Sequence, residues 1–252
     1  MNQNLLANIR IVLVEPAGAL NLGSIARIMK NMGLTRLVLV NPKCDRNCDQ
    51  ARQMAVHGID VLQQAQIVDS LTAALTGCQK AIATTARNRS VPIQLESPKL
   101  VLPQLLTPDV ESALLFGAED RGLSNDELKY AQRFIYIDSN PEYPSLNLAQ
   151  AVAVCVYELY QSYLASDRQL PEISAQAIAP ISPSAPLEIL EGYYQDLEAM
   201  LLEIGYLLPH TATVKMEKFR RLYNKANLQT EEVALLRGIL RQIRWAIDHQ
   251  SD

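Results

Sequence analysis

Three loops of the chain combine glycine, amide and charged side chains in a way that a plain connection does not need. The first is Asn21-Leu22-Gly23-Ser24-Ile25-Ala26-Arg27, where an apolar run hands over to helical spacing. Asn21 can cap a helix, Gly23 lets another backbone approach, and the guanidinium of Arg27 can hold a phosphate. A capped helix start with a solvated arginine is the plainer reading of the same residues. The second loop runs from Leu114 through Gly117, Glu119, Arg121 and Gly122 to Ser124. Gly117 suits a ligand packed against the backbone at the carboxyl end of a strand. A simple strand-turn-helix with Ser124 as N-cap is its alternative. The third loop, Ile135 to Ala149, is punctuated by Pro141 and Pro144 and sets Ser145 and Asn147 at a helix start. Capping accounts for one of those polar residues but not for the length of the loop.

Common nucleotide and hydrolase signatures are missing. The chain has no G-x-G-x-x-G, no G-x-x-x-x-G-K-[ST] and no G-x-S-x-G. A dinucleotide-dependent oxidoreductase, a P-loop NTPase and an α/β-hydrolase therefore lose their main support. Cys44, Cys48, Cys78 and Cys155 are too scattered for a disulfide framework, so reduced thiols are expected. None of His57, His210 and His249 sits at ligand spacing from a cysteine or another histidine, and no metal site is expected.

The elements that must position these loops follow from periodicity. Ile9 to Val14 and Arg36 to Val40 read as buried strands around a helix at 21–33. Further strands are expected at 80–84, 112–117 and 133–137, alternating with helices near 50–57, 69–76, 124–131 and 146–164. That alternation predicts an α/β domain with a mainly parallel sheet and flanking helices over 1–164. Residues 165–186, with Pro171, Pro180, Pro183 and Pro186, read as a linker. Helices at 187–206, 215–226 and 230–247 then make 187–252 a small α-helical extension. At 252 residues the chain has room for one domain plus such an appendage.

Charge divides along the same lines. Residues 1–164 hold 14 basic and 15 acidic side chains, whereas residues 210–245 hold eight basic against three acidic. A basic block on a chain of net charge -4 could bind an acidic partner such as nucleic acid, or be a solvated helix face. No apolar run reaches the length of a membrane span, and the start from Met1 lacks the pattern of a secretory signal, so a cytoplasmic location is expected.

Together the three loops, in this order, resemble the SpoU/TrmH branch of the SPOUT methyltransferases, with its N-x-G-S/A-x-x-R, F-G-x-E-x-x-G-L and S-L-N-L/V-A motifs. The likeness covers roughly residues 8–164. The tail, through Lys218-Phe219-Arg220-Arg221 and Leu235 to Ile243, resembles the C-terminal extension of the TrmJ type. The resemblance implies S-adenosylmethionine-dependent 2′-O-methylation of tRNA at nucleotide 32 of the anticodon loop, by a homodimer whose core ends in a trefoil knot. Connection rules alone would argue against a knot. By motif position it assigns the cofactor to Thr84, Thr85, Ala86, Gly117, Ile137, Pro144, Ser145 and Leu146. Pro144 departs from the serine expected there, which a backbone contact tolerates and a side-chain contact does not.

The resemblance places Arg27 at the catalytic position. A guanidinium has no acceptor lone pair, so orientation of phosphate and stabilisation of charge on the ribose oxygen suit it better than proton removal. Ser145, Glu119, water or RNA phosphate remain as proton routes, with Asn21 and Asn147 positioning loop and substrate. Arg87 and Arg89, with Lys218, Arg220 and Arg221 of the tail, are the expected RNA contacts. Methylation of ribosomal RNA or of another tRNA nucleotide, and a catalytically silent RNA-binding protein, are the competing readings.

Overall fold

The computed structural model describes residues 5–85, 94–168 and 184–249. In chain order it contains β1 (Ile9–Val14), α1 (Ala19–Asn31), β2 (Arg36–Val40), α2 (Asp49–Ala55), α3 (Ile59–Gln64), β3 (Gln66–Val68), α4 (Leu71–Ala74) and β4 (Lys80–Thr84). There follow β5 (Leu95–Glu96), α5 (Pro98–Val101), β6 (Ser112–Phe116), α6 (Asn125–Leu128), β7 (Arg133–Ile135) and α7 (Leu148–Arg168). The last three helices are α8 (Leu187–Glu203), α9 (Ala212–Ala226) and α10 (Thr230–Asp248). The chain divides into two compact units, Met1–Leu75 with Lys80–Gln176, and Thr76–Gln79 with Ala177–Asp252.

All strands of the first unit lie parallel in one sheet, in the order β3-β2-β1-β6-β4-β7-β5. Helices cover a parallel sheet, which is why β1, β2 and β6 read as nearly continuous apolar runs instead of alternating ones. Arg10 is the exception in β1. It donates to the Ala74 carbonyl at 2.9 Å and shares the Glu111 carboxylate with Arg36. The expected strands at 80–84, 112–117 and 133–137 are β4, β6 and β7. β3, β5, α3 and α5 were not expected. β3 and β5 are edge strands of three and two residues, too short to carry a period.

On α1, Leu22, Ile25, Ala26 and Met29 face the core. The helix begins earlier than its spacing suggests, at Ala19 with Gly18 as N-cap. Asn21 is therefore not a cap; it sits in the first turn with its side chain available for other partners. The close approach expected at Gly23 is present, since a Cβ there would lie 2.2 Å from the Ala51 carbonyl oxygen. α7 continues to Arg168 rather than stopping near 164, because Ala165 to Arg168 contains no helix breaker and the first proline follows at 171. Residues 169–183, most of the expected linker, lie outside the described residues.

The second unit has its own core, in which Leu190, Tyr193, Tyr194 and Leu197 of α8 pack with Met216 of α9 and Val233 of α10. Tyr193 meets Tyr223 edge-on at 5.3 Å. Among the described residues, no helix is long and apolar enough to cross a membrane.

Gly23→Ala tests the α1–α2 contact. The helix gains about 1 kcal/mol of propensity, but a methyl forced onto backbone costs more. The expected result is a lower urea midpoint; a raised midpoint would show that the two helices can part freely.

Candidate functional site

The carboxyl ends of β4, β6 and β7 open onto a cavity of about 130 Å³ that is partly open to solvent. Its wall includes Thr84 and Thr85, Gly117 to Leu123, Ile135, Ile137 and Pro144 to Leu146. The strand order doubles back here, with β6 inserted between β1 and β4, and open α/β sheets bind ligands at such switch points.

Glu119 joins the loops. Its carboxylate accepts from the Ala17 amide at 3.0 Å, the Gly18 amide at 2.9 Å and the Asn21 side-chain amide at 3.1 Å. Asn21 in turn accepts at Oδ1 from Asn147 Nδ2, 2.9 Å away. Asn147 also opens α7, its Oδ1 accepting from the Ala149 amide at 2.9 Å. One hydrogen-bonded chain thus runs through all three motifs. Burial alone pushes the Glu119 carboxyl up, but the Ala17 and Gly18 amides and Asn21 outweigh it and hold the group below its ordinary value. A carboxylate with depressed basicity and three donors already on it is a poor proton acceptor. The proton route expected through Glu119 would have to displace those donors, which tie the first loop to the second.

A second clamp was not anticipated. Arg121 donates to both oxygens of Glu127, to Glu15 at 2.9 Å and to the Gly122 carbonyl at 3.0 Å. Glu127 closes a capping box with Ser124 at the start of α6, so Ser124 is the N-cap that its alternative reading required. Glu15 sits at the end of β1 with a left-handed φ of 49°, and its carboxyl is lowered by Arg121 and then by Lys43. The sequence signal was the charged run at 119–121, but its partners at 15 and 127 come from separate elements. Gly117 lines the cavity as expected, and its lack of a side chain has a further reason: a Cβ there would lie 2.1 Å from the backbone of Gly122 and Leu123, so the loop can fold on itself only with glycine at this position.

The remaining expected residues divide. The Thr84 hydroxyl donates to the Leu115 carbonyl at 3.0 Å, and the Thr85 amide to the Ile135 carbonyl at 2.9 Å. Ile137, Pro144, Ser145 and Leu146 line the cavity, and the Pro144 carbonyl accepts from Ser139. Ala86, Arg87 and Arg89 lie outside the described residues. Arg27 is exposed on α1, has no hydrogen-bond or ion-pair partner among the described residues, and does not line the cavity. In the second unit, Lys218 is exposed and Arg221 half-buried. Arg220 is committed elsewhere: it makes a two-pronged pair with Glu191 at 2.6 and 2.8 Å and lies 4.4 Å over the Tyr194 ring. Its expected phosphate contact is withdrawn on that ground. No group of histidine, cysteine and carboxylate side chains fit for a metal ion occurs among the described residues.

The cavity suits a ligand-binding α/β enzyme, its wall combining apolar side chains with hydroxyl, backbone and charged groups. Two family models match the chain, the SpoU rRNA Methylase family over residues 8–157 and the C-terminal domain of tRNA methyltransferase TrmJ over residues 188–252. The tRNA (cytidine/uridine-2′-O-)-methyltransferase TrmJ of Klebsiella pneumoniae is 41% identical over 242 residues, covering 95% of this chain and 97% of its own. The crystal structure of TrmJ from Z. mobilis superposes with a TM-score of 0.79 at 32% identity, over 93% of this chain and 98% of that one. A structure described for 2-OH methylation of C/U34 on tRNA reaches a TM-score of 0.51 at 25% identity, over 62% of this chain and 97% of that one. The chain belongs to the SpoU methylase family and carries the C-terminal domain of the TrmJ type.

Glu119→Gln keeps the shape of the side chain but offers one acceptor oxygen where two are used. The expected loss is about 1 kcal/mol at neutral pH, the exposed rim screening part of the charge. Because the folded value is depressed, the Glu119 contribution is full above the unfolded value near 4.5 and is lost as pH falls through the folded one. Melting curves of parent and variant should converge on acidification; a gap that stays constant would show that the charge is immaterial.

Proposed function

We propose that the protein methylates the ribose 2′-oxygen of a cytidine or uridine at nucleotide 32 of the tRNA anticodon loop, using S-adenosylmethionine, as a cytoplasmic homodimer. The observation that carries this reading is the Glu119–Asn21–Asn147 chain, which ties the first family motif to the second and third, and those two line one cavity. Full-length relatives named as tRNA (cytidine/uridine-2′-O-)-methyltransferases support the substrate.

The cavity fits the cofactor. Phe116, Ile135, Ile137 and Leu146 offer apolar surface for a purine, and the backbone at Gly117 and Pro144 to Leu146, with Thr85 and Ser145, offers polar groups for ribose and amino-acid portions. The charges of Glu119 and Arg121 are already matched by their own partners. When bound, S-adenosylmethionine supplies an electrophilic methyl group. Arg27, unpaired among the described residues, holds substrate phosphate and stabilises negative charge developing on the 2′-oxygen. With Glu119 occupied, Ser145 in the cavity wall passes the proton on to water or RNA phosphate in this reading. Lys218 and Arg221, together with Arg87 and Arg89, are the proposed RNA contacts.

Two features support a second copy at the site. Arg27 does not line the cavity of its own chain, and α7, which packs on α1, exposes Gln150, Val154, Tyr157 and Gln161 along one stripe, while α1 exposes Leu20. Val154→Glu together with Tyr157→Glu should convert a dimer to a monomer in sedimentation and abolish methyl transfer. Activity retained by a monomeric variant would remove the dimer from the reading.

The decisive assay is transfer from labelled S-adenosylmethionine to unmodified bulk tRNA, with nucleoside mapping and Arg27→Ala alongside. The expected product is a 2′-O-methylated pyrimidine at nucleotide 32, reduced about a hundredfold or more in the variant. Product at nucleotide 34 would move the target toward that of the structural relative that covers only 62% of this chain. Transfer to ribosomal RNA alone would move it further, and transfer to neither RNA would leave a silent RNA-binding protein.

A further inference from the structure

The second unit exposes an aromatic pair that no part of the proposed reaction uses. Trp245, the only tryptophan of the sequence, is 55% exposed near the end of α10. Its ring stacks on His249 at 4.5 Å between centroids and 25° between planes. His249 Nδ1 lies 2.8 Å from the Trp245 carbonyl oxygen, which can only accept, so the imidazole is tied to the backbone and the pair is pre-set. Arg241 lies one helical turn before Trp245, exposed and without a partner among the described residues. Arg237 and Arg244, by contrast, are turned to Asp196 and Glu203 of α8.

What α10 leaves uncovered beside this pair selects what can cover it. With Arg237 and Arg244 matched by acids of α8, Arg241 is the arginine of Val233 to Ile247 still available to an outside partner. A polyanion with flat, stackable groups matches both the charge and the ring. We propose that Trp245 and His249 form a stacking platform for an unpaired base of the RNA substrate, with Arg241 on the adjoining phosphate. The inference rests on the tRNA reading above and adds to it a contact site remote in sequence from the three motifs.

Because the chain has one tryptophan, its fluorescence reports this site alone. Unmodified tRNA should quench Trp245 emission saturably in the full-length protein, along the same curve as binding measured independently by anisotropy of labelled tRNA. In that anisotropy assay Trp245→Ala should weaken affinity roughly tenfold while Trp245→Phe, which keeps a ring, retains most of it. Arg241→Gln should lower the slope of log affinity against log salt by about one. Labelled tRNA that binds with no change in Trp245 emission, and equally well to Trp245→Ala, would overturn the platform and leave the tRNA reading standing. Emission that changes with protein concentration alone would overturn it in favour of a second copy. Labelled tRNA that does not bind at all would overturn the tRNA reading and the platform together.

Discussion

Glu119 accepts hydrogen bonds from residues about a hundred positions earlier in the chain, and the geometry of the site depends on that carboxylate staying charged and in place. The donors are backbone amides at the start of α1, where unsatisfied N–H groups and the helix dipole favour an anion. The helix would ordinarily find its cap locally. Here Gly18 is an N-cap without a side chain, and the cap arrives from the loop after β6. This frees Asn21 to bridge to Asn147, and Asn147 to open α7. Each loop is thereby finished by a residue belonging to another.

Much of this was legible in the sequence. β1, β2, β4 and β6 are apolar runs with clear stops, and parallel order follows from the intervening helices. The three motifs were visible as loops with more polar chemistry than connections require, and the structure links them by hydrogen bonds, the second and third lining one cavity. What could not be read were long-range partners. Arg220 looked like a free cation until Glu191 and Tyr194, some thirty residues away, were placed against it. At Gly117 spacing cannot say which backbone packs against the missing side chain, and that backbone is its own loop. Edge strands of two and three residues leave no period to detect.

The basic tail illustrates how poorly a charge count stands for a surface. Arg220, Arg237 and Arg244 are bound to acids of α8, so part of the positive block fastens the helices of the second unit to each other. Exposed side chains such as Lys218 and Arg241 carry the charge that remains for an outside partner. The acidic surplus of 165–209 and the basic surplus of 210–245 are in this sense two halves of one packing arrangement.

The sheet ends in β3 on one side and β5 on the other. A long flat edge strand invites another chain to extend the sheet, and with it amyloid-like aggregation. Three residues at one edge and two at the other present too few unpaired backbone groups to template such growth. The β5 edge is further blunted by the charged pair of Glu96 with Arg133. Growth of the sheet from one copy of this chain into the next is disfavoured at both described edges.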